Sequence, residues 1–357
     1  MVESSNQKAL KSISSRRIII PLLIGLAVLI YFLMRKFKWR EFQDIPWNEH
    51  VYLWVGLSLL FLVIRHLAYA ARLWILSEKD FSYFKCIELI FIWEFSSAVS
   101  PTSVGGSAVA LFVLSQEKLA TARVTAIVLY TAVLDTIFFI STLPVLLFFF
   151  GPSIIRPDLH SFNALDSWGY SFIFAYIFMA IYGTLFFYGL FIKPNGLKKL
   201  VLWFTQFRIF KKWKSKGEKL GNDFVVASKE IAGKGLKIGG PAFLMTATAW
   251  SMRFLLLNCL IVAFENGTSL DFLTQSALFA RLETMFVIMA FSPTPGSVGV
   301  AEILFNGFLT DYLSNETSSS LIALIWRLFT YYSYLLLGVF IIPNWLRKVL
   351  KAKKITS

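Results

Sequence analysis

Ser292-Pro293-Thr-Pro295-Gly296-Ser-Val-Gly299-Val-Ala-Glu302-Ile-Leu-Phe305 breaks one apolar run, and Ser100-Pro101-Thr-Ser-Val-Gly105-Gly106-Ser-Ala-Val-Ala-Leu-Phe112 breaks an earlier one. Proline brings no amide donor and glycine disfavours continuous helix, so each string predicts two shorter helices joined at a sharp turn. With a short gap the two strings share Ser-Pro-Thr and Ser-Val-Gly. Their surroundings also correspond. Arg65 lies 35 residues before Ser100 and Arg253 lies 39 before Ser292, while Asp135 and Arg327 each lie 35 residues after the serine of their own copy. The repeating unit is therefore span, hairpin, span.

The composition fits only one environment for such a unit. Of 357 residues, 57% are hydrophobic and 16% charged, with 36 Phe and 11 Trp, which excludes an ordinary soluble enzyme. Apolar runs long enough to cross a bilayer occur at Ile18–Met34, Val51–Leu76, Ala122–Phe150, Trp168–Ile192, Pro241–Phe264 and Ser318–Ile342. The first follows a basic leader but has no small-residue cleavage site after it, so it reads as a retained span. Between these spans lie the two interrupted segments, Cys86–Leu114 and Gln275–Leu309. The expected fold is an all-α polytopic membrane protein, one membrane domain over 1–357, with six full spans and two re-entrant hairpins. Its first repeat covers 51–150 and its second 241–342.

Loop charge sets the expected orientation. The polar stretch 193–240 carries 12 Lys or Arg against three acids, which places it in the cytoplasm. The C-terminal Arg347, Lys348, Lys351, Lys353 and Lys354 agree, whereas Glu265–Thr274 and Thr310–Glu316 carry acids and no basic residue and face outward. Arg35, Lys36, Lys38 and Arg40 fall on the outer side of this trace, outvoted by the larger asymmetry. Both termini are cytoplasmic, and an odd number of crossings between the copies makes the repeat inverted. Inverted repeats with broken helices place a binding site near the bilayer midplane.

The second string, through Glu302, resembles the Pro-x-Pro-Gly-Gly-x-Gly-x-x-Glu signature of the flippase-like transmembrane domain of bacterial lysylphosphatidylglycerol synthases and its stand-alone relatives. Pro101-Thr-Ser-Val-Gly105-Gly106 is similar to that family's Gly-Gly partner motif. The resemblance runs from about Val51 to about Ile342 and implies a bacterial inner-membrane protein that moves or binds lipids or lipid-linked precursors. Family members usually carry an acid and an Arg just after the first Gly-Gly, where this chain has Ser107 and Ala110. No headgroup preference is carried over from that motif. No stretch of soluble-domain composition follows Ile342, so aminoacyl transfer is not implied.

Ionisable groups at membrane depth cost about 2.5 to 3.5 kcal/mol each on insertion scales, so they require partners or a wet cavity. Arg65, Arg253, Arg327 and Asp135 fall near the middles of spans, and Glu94 and Glu283 on the first arms of the hairpins. In one reading the three cations and three anions pair off to fix the bundle. In the other, the arginines and the free amides of half-helices starting near Val104 and Ser297 hold a lipid phosphate, with Glu94, Glu283 or Asp135 taking a cationic headgroup or a coupling proton. Glu302, in the first turn of its half-helix, has a dipole-stabilising alternative. Pro101, Gly105, Gly106, Pro293, Pro295, Gly296 and Gly299 mark the hairpin turns. Arg72 and Arg281, nearer segment ends, are expected to snorkel.

Lys198–Lys219 interleaves basic residues with Trp203, Phe204, Phe207, Phe210 and Trp213, as a helix on anionic lipid would, or as a plain positive-inside anchor. His50, His66 and His160 follow no metal-ligand spacing, Cys86 and Cys259 support no disulfide framework, and there is no phosphate-cradling Gly-rich loop. The expected function is flippase-like movement of a phospholipid or lipid-linked precursor by alternating access. No cofactor, metal or nucleic acid is expected, and membrane lipids are the expected partners. The alternatives are a membrane enzyme using Glu94 or Glu283 as acid or base, and a non-catalytic partner of a lipid-modifying enzyme.

Overall fold

A computed structural model describes residues 39–43, 47–100, 103–117, 119–159, 161–206, 214–232, 235–265 and 267–356. It is helical throughout, with no strand among the described residues. The helices are α1 (Trp39–Gln43), α2 (Glu49–Leu76), α3 (Tyr83–Val99), α4 (Ser103–Ser115), α5 (Thr121–Phe150) and α6 (Ser167–Phe191). They continue as α7 (Pro194–Phe204), α8 (Lys214–Ala232), α9 (Gly235–Phe264), α10 (Phe272–Met289), α11 (Val300–Leu309), α12 (Glu316–Arg327) and α13 (Ser333–Thr356). A five-residue π turn, Leu328–Tyr332, joins α12 to α13 without ending the rod.

Short polar side chains start the long helices. Asn48, Ser82, Asp166, Asp271 and Asn315 each accept a hydrogen bond from an amide of the first turn of α2, α3, α6, α10 and α12. The outward faces are apolar. On α6, Phe174, Ile177, Phe178, Ile181, Leu185 and Tyr188 recur at helical spacing and are all exposed, and Leu53, Leu60, Val63 and Leu67 form the same stripe on α2. In water such stripes would be large exposed patches; against lipid they are solvated.

Among the described residues, six helical segments are long and apolar enough to cross a membrane: Glu49–Leu76, Ala122–Ile154, Ser167–Phe191, Lys237–Phe264, Phe272–Met289 and Glu316–Gly338. Five coincide with spans expected from the sequence, and the expected first span, 18–34, lies outside the described residues. Phe272–Met289 differs, because a re-entrant arm was expected there. Its 18 residues rise about 27 Å, nearly the roughly 30 Å of hydrocarbon, whereas α11 at 10 residues rises only about 15 Å. The second break thus joins a full-length arm to a half-length one.

The core divides into two apolar halves. The first hairpin contributes Leu89, Ile92 and Phe95 from α3 and Val113 and Leu114 from α4 to one half, together with the early part of α5 and the buried face of α13. The second contributes Leu278, Met285, Leu304 and Phe308 to the other, together with the late parts of α5 and α9 and with α12. Both α5 and α9 run through the two halves. Polar groups collect where the halves meet.

Candidate functional site

Helices α2 and α9 form the most extensive helix pair in the molecule. Small buried residues, Ala68 and Ala70 on α2 and Ala242, Thr246 and Ala249 on α9, let the backbones approach closely. That contact brings Arg65 and Arg253 to a single carboxylate. Glu94 Oε2, on α3, accepts from Arg65 Nη2 at 2.8 Å and lies 3.8 Å from Arg253 Nη2. Arg65 is fully buried, its guanidinium over the rings of Tyr69 and Tyr334, and Nη1 donates to Tyr334 Oη at 3.3 Å. The Arg253 guanidinium lies over Trp250 at 4.8 Å and Phe286 at 5.5 Å, and its Nε has no hydrogen-bond partner among the described residues.

Glu94 and Arg253 line a cavity of about 230 Å³ between the two halves, which the tip of the second hairpin closes on one side with Ser292, Thr294, Gly296 and Ser297. The tip is bound tightly to itself. Ser292 and Thr294 share a hydroxyl contact at 2.9 Å, Thr294 Oγ1 donates to the Val298 carbonyl at 2.9 Å, and Ser297 Oγ donates to the Met289 carbonyl at 3.1 Å. Gly296 and Gly299 have φ of +56° and +83°, and Ser297 is held at +56°, a conformation an L-residue adopts only under constraint. Arg327, on α12, supplies part of that constraint. Its Nη2 donates to the Gly296 carbonyl at 2.9 Å and its Nε lies 3.2 Å from Glu302 Oε1. Glu302 Oε2 in turn accepts the Gly299 amide at 2.7 Å. The π turn after Arg327 sets Tyr331 against the tip, so close that a Cβ on Gly296 would fall 2.1 Å from the ring.

The candidates from the sequence do not all converge. Arg65, Glu94, Arg253 and Arg327 do, with Glu302 behind Arg327. Asp135 goes elsewhere: its Oδ1 accepts from Arg72 Nη1 at 2.6 Å and from the Trp250 indole at 2.9 Å, so it fixes the ring beneath Arg253 from outside the cavity. Arg72 therefore does not snorkel. It is buried at the α2–α9 contact, where it also reaches Thr246 Oγ1 at 3.2 Å. Arg281 is likewise buried and ion-paired, with Asp311. Glu283 forms no ion pair with an arginine among the described residues; it is fully buried and accepts from Thr142 Oγ1 at 2.5 Å.

Pairing of three cations with three anions in one set is thus replaced by a different partition, in which Arg72 takes Asp135 and Glu302 takes Arg327. The expected free amides of the second half-helix also differ, since Gly299's is taken by Glu302. Gly105 and Gly106 lie within the first turn of α4, after the turn they were expected to form, and Pro101 lies outside the described residues. Pro293, Pro295, Gly296 and Gly299 do form the second tip. Of the basic stretch, α7 and α8 pack on each other and α8 on α5 and α6, while residues 207–213, with Phe207, Phe210, Lys211, Lys212 and Trp213, lie outside the described set.

Sequence reasoning missed Trp250, Trp326, Tyr331 and Tyr334. Trp250 precedes Arg253 by one helical turn and Tyr331 follows Arg327 by one, so a search for aromatic residues one turn from each intramembrane arginine would have found both. Three guanidinium groups face two carboxylates here, leaving one positive charge in a largely apolar surround. Among the described residues no three His, Cys, Asp or Glu side chains come together as metal ligands. Chemically, the site suits an anionic oxygen group.

The fold and this cavity define a multi-pass membrane protein with an arginine-lined cavity between two apolar halves. The chain belongs to the family described as the lysylphosphatidylglycerol synthase TM region, whose model matches residues 18–338. It is similar to a UPF0104 membrane protein of Archaeoglobus fulgidus, at 25% identity over 331 residues that cover 88% of this chain and 94% of that protein. No solved structure matches it.

Proposed function

We propose that this protein is a flippase-like transporter that moves an anionic phospholipid or lipid-linked precursor by alternating access through the cavity between its two halves. The observation that carries the reading is Arg253. At bilayer depth an arginine needs a counter-charge, yet the one carboxylate near it is already hydrogen-bonded by Arg65, and the nearest approach is 3.8 Å. A ligand phosphate supplies the missing anion and a bidentate fit to the guanidinium. The apolar walls, Trp250, Phe286 and Trp326, suit the adjoining glycerol and acyl region.

In this reading the two hairpins belong to an inverted repeat, and rocking one half against the other opens the cavity to each leaflet in turn. The chain acts as a transporter and not as an enzyme, in a bacterial cytoplasmic membrane with both termini and the basic 193–240 segment on the cytoplasmic side, against anionic headgroups. Family membership supports a lipid-related role. The test is native mass spectrometry of the purified protein, comparing lipids retained by wild type and by Arg253→Ala. One anionic class retained by wild type and lost in the variant is the expected result. Identical bulk lipid in both would remove the cavity from the mechanism.

A further inference from the structure

Donors and acceptors around the cavity sit on different residues. Four buried groups on lining residues, Arg253 Nε, Trp326 Nε1, Arg327 Nε and Tyr331 Oη, have no hydrogen-bond partner among the described residues. Buried donors of this kind are rare unless a ligand or water completes them. Against them stand hydroxyls already committed as donors. Ser97 Oγ gives its hydrogen to the Trp93 carbonyl at 3.1 Å, Ser297 Oγ to Met289 at 3.1 Å and Thr330 Oγ1 to Trp326 at 2.8 Å. A hydroxyl has one hydrogen, so these three have only lone pairs left for a ligand.

A matching ligand needs anionic acceptor oxygens for the first set and hydrogen donors for the second. An ammonium would donate, but it would add positive charge to a site that already has one in surplus, and Glu94 is occupied by Arg65. Neutral hydroxyls donate without that penalty. We infer that the cavity takes a phosphate ester whose remaining head is uncharged and hydroxyl-rich, a polyol or sugar, and discriminates against heads ending in an amine. This rests on the cavity being the lipid site, and it adds the headgroup class.

The experiment uses the full chain in detergent and short-chain lipids bearing glycerol, inositol or ethanolamine heads, with phosphatidic acid and water-soluble glycerol phosphate alongside. Binding is read by competition in native mass spectra. Glycerol and inositol heads should bind about tenfold or more tighter than ethanolamine or the bare phosphate, because a site built to bond hydroxyls is left unpaired by an analogue lacking them. Thr330→Val and Ser297→Ala should each narrow that gap. Equal binding of phosphatidic acid, or equal or tighter binding of the ethanolamine head, overturns the headgroup inference and leaves the lipid reading standing. Glycerol phosphate binding as well as its lipid would uphold the headgroup chemistry and overturn the lipid reading. No binding by any probe overturns both.

Discussion

Arg65 and Arg253 point at the same carboxylate oxygen from two packed helices, Arg65 within hydrogen-bonding distance of Glu94 Oε2 at 2.8 Å and Arg253 outside it at 3.8 Å. One arginine therefore neutralises Glu94, and in the proposed reading the other is left for a ligand. Their burial agrees: the Arg65 side chain is 0% exposed and that of Arg253 is 20% exposed. Two arginines at similar distances in sequence before the two breaks thus have different surroundings.

Substitution should separate those tasks. Arg65→Ala strands Glu94 beside a cavity and removes a fully buried side chain, which should cost about 3 to 5 kcal/mol and lower the midpoint of thermal unfolding. Arg253→Ala should leave the midpoint within a few degrees and weaken retention of anionic lipid about tenfold or more, as the loss of a charge-assisted hydrogen bond of about 1.5 to 3 kcal/mol requires. Thermal unfolding in detergent and native mass spectra of both variants check this. The reverse pattern would assign ligand contact to Arg65.

The same logic applies to the carboxylates. Glu94→Gln should alter lipid retention, because it removes the charge that holds Arg65 and faces Arg253. Glu283→Gln should not, since Glu283 touches Thr142 and no cavity-lining arginine. A loss of lipid in Glu283→Gln equal to that in Glu94→Gln would show that the two are coupled through α10.

Much of this architecture was legible in the sequence, and the reasons for the exceptions are physical. Spans and breaks follow from hydrophobic run length and from Pro and Gly chemistry, both local properties, so five spans and the second tip appear where expected. Ion-pair partners depend on helix rotation and packing, which run length does not encode. Arg72 looked able to snorkel because only three residues separate it from the end of α2 at Leu76. It lies two turns from Arg65, however, on the face that α9 covers, and burial follows the face and not the distance from the end. Glu283 lies off the cavity for the same reason: its neighbours Phe286 and Met289 line it, and Glu283 itself points toward α5.

Gly296 and Gly299 both have positive φ but differ in surroundings, which makes them a matched pair. Gly299→Ala meets nothing within 4 Å and should cost only the backbone strain of its positive φ, +83° with ψ −49°, about 1 to 3 kcal/mol. Gly296→Ala carries that strain and also drives a methyl to within 2.1 Å of the Tyr331 ring. It should lower the unfolding midpoint clearly more than Gly299→Ala. Equal midpoints would mean that Tyr331 swings away freely and does not brace the tip.

Outside the spans, Glu265 is buried beneath the loop before α12 and accepts the Ser314 amide at 3.1 Å. Burial raises its pKa above the ordinary carboxylate value, despite the opposing bonds from Ser314 and Ser318. A carboxyl whose folded pKa exceeds its unfolded value favours folding below the unfolded pKa, and that contribution is lost as pH rises through the folded one. Glu265→Gln should therefore gain on wild type as pH rises from 4 to neutrality, read as the difference in unfolding midpoint. A constant difference across that range would place the carboxylate in water.

Asp135 and Arg72 test whether a buried ion pair here stabilises or only positions. Asp135→Leu leaves Arg72 charged and buried and should destabilise by about 3 to 5 kcal/mol; Arg72→Met leaves the half-buried Asp135 unpaired and should cost less, and the double variant should recover most of the larger loss. Recovery of stability need not restore binding. Asp135 also accepts the Trp250 indole at 2.9 Å, and Trp250 lies beneath the Arg253 guanidinium at 4.8 Å. In the double variant the indole loses its acceptor and the ring is free to rotate, so lipid retention should stay low while the unfolding midpoint returns. Adding Asn at 135 in place of Leu keeps an acceptor for Trp250 without the charge, and Arg72→Met with Asp135→Asn should regain binding as well. If the Leu and Asn double variants retain lipid equally, Asp135 acts on the bundle alone and the orientation of Trp250 is set by its contacts with Phe139 and Phe254.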